Sequence, residues 1–156
     1  MAIGKGDIVE DFELPDQTGA PRRLSTLLAD GPVVLFFYPA ALSSGCTAEA
    51  CNFRDLAAEF AAAGAQRVGI SRDPVDKQKK FSDLHGFDYP LLSDPQSTVA
   101  SALGVKRRLP LGPLSTKRMT FVIGTDRRIL DVIHSETSMN DHAARALATL
   151  TARSNS

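Results

Sequence analysis

The sequence has no excess charge of either sign and no long apolar run. Lysine and arginine together number 18, and so do aspartate and glutamate, so net charge gives no strong attraction to nucleic acid or to a membrane. The N-terminal residues 1–12 lack the apolar core of a signal peptide, and no later apolar run approaches the roughly 20 residues that span a bilayer. We therefore expect a cytoplasmic protein with neither nucleic acid nor a membrane as its partner.

Cysteine is also scarce, with Cys46 and Cys51 the two in the chain. Cytoplasmic thiols stay reduced, which favours transient redox chemistry over a structural disulfide. Their C-x4-C spacing is not a standard zinc spacing, and the histidines, His85, His134 and His142, are distant in sequence. We therefore expect no metal and no bound cofactor. A free cysteine is often only a small buried apolar residue, so spacing alone leaves structural and functional interpretations open.

The order of the predicted elements indicates the fold. With 156 residues, 43% of them hydrophobic, the chain is long enough for one domain, predicted over 1–153 with a disordered tail at 154–156. An extended segment, a turn and a short return are predicted at 7–20, followed by strands at 33–38, 66–71, 119–123 and 129–134 and helices at 24–28, 46–63, 74–86, 95–104 and 140–150. This order predicts an α/β three-layer sandwich with a central mixed sheet, the thioredoxin-like arrangement with an N-terminal extension.

The segment around the cysteines is the most informative part of the chain. The apolar run Val33–Tyr38 is typical of a buried strand, and helical spacing begins after a loop of small residues. Ser43 or Ser44 is a candidate helix cap, which places Cys46 in the first helical turn. Free N–H groups and the helix dipole at that end favour a thiolate over a thiol. Cys46 shares the apolar face of the helix and points inward, whereas Cys51 is on a less enclosed face.

Helix geometry also limits how the two thiols can react with each other. A five-residue offset means about 7.5 Å of rise and about 140° of rotation, so the two Cα atoms lie roughly 8–9 Å apart. A disulfide needs them within about 7 Å. Cys46 and Cys51 can therefore bridge only if the first turn and a half of the helix unwinds.

The motif FYPxxxSxxCTxEACxFRD, which spans residues 37–55, resembles the active-site signature of peroxiredoxins. The position of the second cysteine, five residues after the first, resembles the pattern of one peroxiredoxin subfamily, the bacterioferritin comigratory proteins or peroxiredoxin Q. The resemblance implies a thiol-dependent peroxidase acting on hydrogen peroxide and organic hydroperoxides. It implies that Cys46 is the peroxidatic cysteine, that Cys51 resolves it as an intramolecular disulfide, and that thioredoxin or a similar dithiol reduces that disulfide. It further implies that Pro39, Ser43 and Arg118 build the peroxide pocket.

Arg118 ends a basic stretch, Lys106 to Arg118, that contains five basic residues and no acidic one. We interpret the other four basic residues as a solvated loop. Arg118 instead opens a predicted strand, where a guanidinium can face a sulfur near the active-site helix. Glu49 lies about one helical turn from Cys46, and its charge opposes a thiolate, so the site requires a cation.

Several alternatives stay open at this point. The family usually has Thr at the position of Ser43 and commonly Pro at that of Ser44, which bears on rate and substrate preference. A thiol–disulfide oxidoreductase of the same fold is the main alternative, although that class normally places its cysteines two residues apart. A non-catalytic binding module using the basic loop is the second alternative. The protein is expected to be a monomer or a homodimer.

Overall fold

The computed structural model describes residues 3–105, 116–135 and 139–154. Its elements run in the order β1 (Glu13–Pro15), β2 (Pro21–Arg23), α1 (Leu24–Leu28), β3 (Val33–Phe37), α2 (Ser44–Asp55), α3 (Ala57–Ala62), β4 (Gln66–Ser71), α4 (Val75–His85), β5 (Leu91–Ser93), α5 (Thr98–Ala102), β6 (Met119–Ile123), β7 (Ile129–His134) and α6 (Met139–Ser154). None of the helices in these segments is long and apolar enough to cross a membrane.

The main sheet has five strands in the order β5-β4-β3-β6-β7. Strand β3 lies at its centre, and each of its residues is buried, as expected for an apolar strand covered on both faces. It pairs in parallel with β4 and antiparallel with β6. Strands β6 and β7 form an antiparallel hairpin, which the turn residues Thr125-Asp126 between the two predicted strands also indicate. The mixed sheet is therefore confirmed, and β1 and β2 form a separate antiparallel pair ahead of it.

Alternation along β3 divides the core into two halves, because successive side chains of a strand point to opposite faces. Val34 and Phe36 pack with apolar residues of α2, α3, α4 and α6. Val33, Leu35 and Phe37 pack with those of α1 and α5. Helices therefore cover both faces, and the predicted three-layer sandwich is confirmed. The cysteine helix lies on the first of these faces.

The prediction of one helix over 46–63 is wrong in two respects. Helix α2 begins at Ser44 and ends at Asp55, and Leu56 (φ −98°, ψ 22°) separates it from α3. At this break the Phe53 carbonyl accepts a hydrogen bond from Nη1 of Arg67 at 3.0 Å. This side-chain donor from β4 satisfies a carbonyl where the regular helix stops. Strand β5 was not predicted, because a three-residue buried run carries no periodicity.

Two predicted helix starts are also corrected. The pair Asp73-Pro74 predicts Asp73 as the N-cap and Pro74 as the first helical residue, but helix α4 begins at Val75 with Pro74 as its N-cap. The Asp73 carboxylate instead binds the loop before α2. Helix α5 begins at Thr98, later than predicted, although the Asp94 carboxylate still accepts from amides of its first turn. Helix α6 extends past the predicted end to Ser154. The rest of the predicted tail, 155–156, and residues 106–115 of the basic stretch lie outside the described residues.

Candidate active site

Cys46 lies where the central strand passes into α2. It is the third residue of the helix and 1% exposed. Ala50 and Phe53 follow it on the same buried face, as the apolar spacing predicts. Helix geometry leaves the N–H groups of Gly45 and Cys46 without an intrahelical acceptor. The thiol is therefore shielded from solvent and lies at the positive end of the helix.

The loop between β3 and α2 is held by hydrogen bonds to its backbone. The Ala41 amide donates to Oδ2 of Asp73 at 2.7 Å, and the Ser71 hydroxyl donates to the same oxygen at 2.7 Å. Nζ of Lys77 lies 3.1 Å from the other carboxylate oxygen. Leu42 has a positive φ of 70°, which a non-glycine residue adopts only when its surroundings hold it there. Asp73 therefore fixes the loop that precedes Cys46.

Pro39 and Ser43 lie in this loop, as the sequence places them. Pro39 is half-buried and lies two residues after Phe37, the last residue of the strand. Ser43 is the N-cap residue, but its side chain makes no capping hydrogen bond. Its hydroxyl donates to the Ala40 carbonyl at 2.9 Å. Of the two candidate caps, Ser43 and Ser44, the structure has Ser43 at the cap position, and its side chain leaves the first N–H groups of α2 uncapped.

Arg118 reaches Cys46 from the neighbouring strand. It directly precedes β6, which pairs antiparallel with β3, so the start of β6 lies beside the end of β3. Its Nη1 donates to the Cys46 sulfur at 3.3 Å, and the residue is 8% exposed. The structure therefore brings Arg118 to the cysteine, as expected for a cation facing the sulfur. The guanidinium is therefore within hydrogen-bond distance of the sulfur and away from bulk water.

Two further buried side chains form a series of polar contacts next to Arg118. Glu49 is 0% exposed, and its Oε1 lies 3.8 Å from Nη1 of Arg118. Its Oε2 lies 3.4 Å from Nε2 of His142, which is also 0% exposed. The sequence had assigned no role to His142. Its position on the buried face of the last helix is a signal for core burial only, because nothing in the spacing relates residue 142 to residue 49.

Cys51 lies farther along α2 and is half-buried, and both thiols are free. Side chains from other elements hold the carbonyls of this part of the helix. The Tyr89 hydroxyl donates to the Ala50 carbonyl at 2.7 Å, and Arg67 binds that of Phe53. The helix between the two cysteines is continuous, which keeps their Cα atoms roughly 8–9 Å apart. In the described segments no group of three His, Cys, Asp or Glu side chains could hold a metal.

Comparisons with known proteins agree with this geometry. The AhpC/TSA family model matches residues 5–132. A Mycobacterium tuberculosis protein assigned to the peroxiredoxins is 68% identical over 147 residues, which cover 94% of this chain and 96% of the relative. The crystal structure of peroxidoxin BcpB from M. tuberculosis superposes with a TM-score of 0.92 at 67% identity, covering 96% of this chain and 97% of that one. The bacterioferritin comigratory protein of Xanthomonas campestris superposes with a TM-score of 0.86 at 28% identity, covering 97% and 99%.

A buried cysteine at a helix start, on a mixed sheet between two helical layers, together with these relatives identifies the class as thiol-dependent peroxidases with the thioredoxin fold. The chain belongs to the AhpC/TSA family, within the peroxiredoxin group that contains the bacterioferritin comigratory proteins and peroxiredoxin Q. The resemblance seen in the sequence is confirmed, and so is the peroxidase function that it implies. The alternative of a thiol–disulfide oxidoreductase is not favoured.

Proposed function

We propose that Cys46 is the peroxidatic cysteine and that Arg118 activates it. The observation that carries this proposal is the 3.3 Å contact from Nη1 of Arg118 to the Cys46 sulfur. The guanidinium stabilises the thiolate before attack, and its planar set of donors suits an oxygen that gains charge during attack. Cys51 lies farther along the helix and is half-buried, whereas Cys46 is buried.

In the first step the Cys46 thiolate attacks one oxygen of a hydroperoxide. A sulfur–oxygen bond forms as the O–O bond breaks, so the sulfur is oxidised to a sulfenic acid and the other oxygen leaves as an alkoxide or hydroxide. That oxygen takes up a proton and departs as an alcohol or water. The barrier depends on stabilising negative charge on the leaving oxygen, because the attack moves charge from sulfur to oxygen.

The surroundings of Cys46 can supply this stabilisation. The uncapped N–H groups of Gly45 and Cys46 and the guanidinium of Arg118 are donors for the leaving oxygen. The Ser43 hydroxyl already donates to the Ala40 carbonyl, which leaves the Ser43 oxygen as an acceptor for a hydroperoxide O–H group. Pro39 has no N–H of its own and, half-buried beside the loop, limits the access of water to the sulfur.

In the second step the Cys51 thiol condenses with the Cys46 sulfenic acid. A sulfur–sulfur bond forms and water leaves, so the two cysteines form an intramolecular disulfide. An external dithiol such as thioredoxin then reduces that disulfide by thiol–disulfide exchange and is itself oxidised. A cytoplasmic location supplies such reductants and accounts for free thiols in the resting enzyme. The enzyme acts as a monomer or a homodimer.

The substrates proposed are hydrogen peroxide and organic hydroperoxides. The X. campestris relative is described by its alkyl peroxide reduction activity, which supports an organic substrate here. The open surroundings of the loop, with Ser43 and Ser44 exposed, also leave room for a substituent on the distal oxygen. No step requires a metal or a bound cofactor.

Matched serine variants test the division of labour between the thiols. Cys46→Ser should abolish peroxide reduction. Cys51→Ser should complete one turnover at the normal rate, then stall or accumulate sulfinic and sulfonic acids under excess peroxide, and an added small thiol should restore part of its turnover. After one equivalent of peroxide, the wild-type mass should fall by two hydrogens within one chain.

Three outcomes would contradict the proposal in different ways. Equal loss of the first turnover in both variants would refute the assignment of roles. A disulfide-linked dimer would refute Cys51 as the intramolecular resolving cysteine while leaving Cys46 as the site of attack. Faster turnover of insulin disulfides than of peroxide would favour the thiol–disulfide oxidoreductase alternative.

A further inference from the structure

Gln78 lies on α4, and its side chain is fully buried, with 0% exposed. Its Nε2 donates to the Leu92 carbonyl at 2.8 Å and to the Ser71 hydroxyl oxygen at 3.0 Å. Its Oε1 accepts a hydrogen bond from the Tyr38 hydroxyl. Because a backbone carbonyl can only accept, the contact with Leu92 fixes which end of the amide faces each partner. One buried side chain of α4 therefore binds β4, β5 and the residue that follows β3.

Tyr38 is held by packing as well as by this hydrogen bond. Its ring lies beside Gly69 of β4, where an added Cβ would come within 3.2 Å of Cε1 of the ring, so the absence of a side chain makes room for it. Tyr38 belongs to the same buried apolar cluster as Cys46. Burial raises the pKa of Tyr38 well above its ordinary value of 10.0. The hydroxyl therefore stays protonated and remains the donor to Gln78.

Ser71 extends these contacts to the loop before α2. Its hydroxyl accepts from Gln78 and donates to Oδ2 of Asp73 at 2.7 Å. The same carboxylate oxygen accepts from the Ala41 amide at 2.7 Å. A hydroxyl has a single hydrogen to donate and a carboxylate has none, so the donor and acceptor roles along this series are fixed. The contacts of Gln78 therefore reach the loop at two places, Tyr38 and Ala41.

These two contacts lie at the ends of a short segment, residues 38–41, that includes Pro39. Leu42 follows the segment directly and has a positive φ of 70°, which a leucine keeps only where its surroundings impose it. Helix α2 begins two residues later, at Ser44. Because both ends of the segment are held, the start of α2 has a fixed position relative to Pro39. The arrangement around Cys46 therefore depends on a side chain of α4.

We propose that Gln78 is a positioning residue for the peroxide step: it holds the segment 38–41 at both ends and thereby keeps Pro39 and the start of α2 in the arrangement that a hydroperoxide meets. Gln78 touches no reacting atom and acts through its hydrogen-bond partners. The inference rests on the proposed role of Cys46 as the site of attack. It concerns the oxidation of Cys46 and not its resolution, because resolution requires the start of α2 to unwind, and the segment ends before that helix.

Gln78→Met tests the proposal, because methionine is an unbranched side chain of similar length that lacks the amide donor and acceptor. The variant should oxidise Cys46 about tenfold more slowly, less than the roughly 10²-fold that a displacement of about 1 Å can cost. The resolving step, followed by stopped flow in the same reaction, should not become slower. Amide hydrogen exchange should show a loss of protection at Ala41 of about tenfold or more, because the series that holds its acceptor is broken.

Gln17→Met is the matched control, because Gln17 is a second glutamine whose amide binds the backbone at β5. Its Oε1 accepts from the Leu91 amide at 2.9 Å, and its Nε2 donates to the Tyr89 carbonyl at 3.3 Å. These contacts do not involve the segment 38–41. Gln17→Met should therefore leave both the rate of Cys46 oxidation and the protection of the Ala41 amide unchanged. Thermal unfolding of the two variants compares their losses of stability.

A double-mutant cycle tests whether Gln78 acts through Tyr38. Tyr38→Phe removes only the hydroxyl that donates to Gln78, so it should slow the oxidation of Cys46 by less than Gln78→Met does. In a Gln78→Met background, Tyr38→Phe should have little further effect, because its hydrogen-bond partner is already absent.

A wild-type oxidation rate in Gln78→Met would overturn the proposal. Equal slowing by Gln17→Met, or equal slowing of oxidation and resolution by Gln78→Met, would also overturn it, since a general loss of stability would then be the cause. Should Gln78→Met fail to fold, Tyr38→Phe and Ser71→Ala replace it, because each breaks one of its two connections to the loop; wild-type oxidation rates in both would refute the idea. These failures leave Cys46-dependent turnover intact, whereas failure of the proposed function appears as peroxidase activity in Cys46→Ser.

Discussion

Oxidation should unwind the first part of α2, and the structure indicates where the unwinding should stop. The Cα atoms of Cys46 and Cys51 must move from roughly 8–9 Å apart to within about 7 Å. The helix hydrogen bonds donated by the amides of residues 47–51 would be lost. At about 0.5–1.5 kcal/mol net for each bond, the unwinding costs roughly 2.5–7.5 kcal/mol in total, which disulfide formation must offset.

The second part of α2 should remain helical, because other elements hold it. Arg67 binds the Phe53 carbonyl at 3.0 Å, and Nη1 of Arg54 donates to the His85 carbonyl at 2.7 Å. Phe53 itself is buried and stacks on Phe36, with ring centroids 4.2 Å apart. The boundary of the unwound segment is therefore expected before Phe53.

Amide hydrogen exchange measured on the dithiol and disulfide forms tests this expectation. Protection at residues 47–51 should fall on the order of 10²-fold or more in the disulfide form, since each 1.4 kcal/mol corresponds to about tenfold. Residues after Phe53 should keep their protection. Cys51→Ser treated with one equivalent of peroxide is the control and should keep the helix intact. Unchanged protection at 47–51 in the disulfide form would show that the helix placement or the disulfide pairing is wrong.

Three further expectations follow from the contacts around the site. Arg118→Ala should slow Cys46 oxidation by about 10²–10³-fold and Arg118→Lys by less. Competition kinetics with a second peroxidase measures these rates, and wild-type rates in both variants would refute a role of Arg118 in the peroxide step. Asp73→Ala leaves the buried Ala41 amide without its acceptor, so chemical denaturation should show a loss of about 1–3 kcal/mol, with Asp73→Asn less affected. Burial lowers the pKa of His142 below its ordinary 6.5, so the unfolded chain takes up the proton first. The contribution of neutral His142 to stability is therefore present above pH 6.5 and declines as pH falls from 6.5 toward the folded-state pKa; His142→Gln should lack this decline.

Local patterns predicted the strand before Cys46 and the helix that contains it, because the apolar run of β3 and the apolar face of α2 are both encoded within a few residues. The strand at Val33–Phe37 and the burial of Cys46 agree with those patterns. The hairpin of β6 and β7 was predictable for the same reason. In each case the signal depends on neighbours in sequence, which a periodicity analysis can detect.

Contacts between distant parts of the chain were not predictable in this way. The break at Leu56 coincides with a hydrogen bond from Arg67, and Asp73 leaves its expected capping role because the Ala41 amide is within reach. His142 meets Glu49 only after β6, β7 and α6 have packed against α2. Side-chain partners chosen by tertiary packing override local preferences at all of these positions.

The uncapped start of α2 reconciles two demands that the peroxidase cycle makes on one helix. Attack on peroxide needs free N–H groups at the helix start, and resolution needs the same turn to open. A side-chain cap from Ser43 would occupy one of those donors and would stabilise the helix by about 1 kcal/mol. Its hydroxyl is instead directed at the Ala40 carbonyl. The weakest part of α2 is therefore the part that contains Cys46, while the part that other elements hold begins at Phe53.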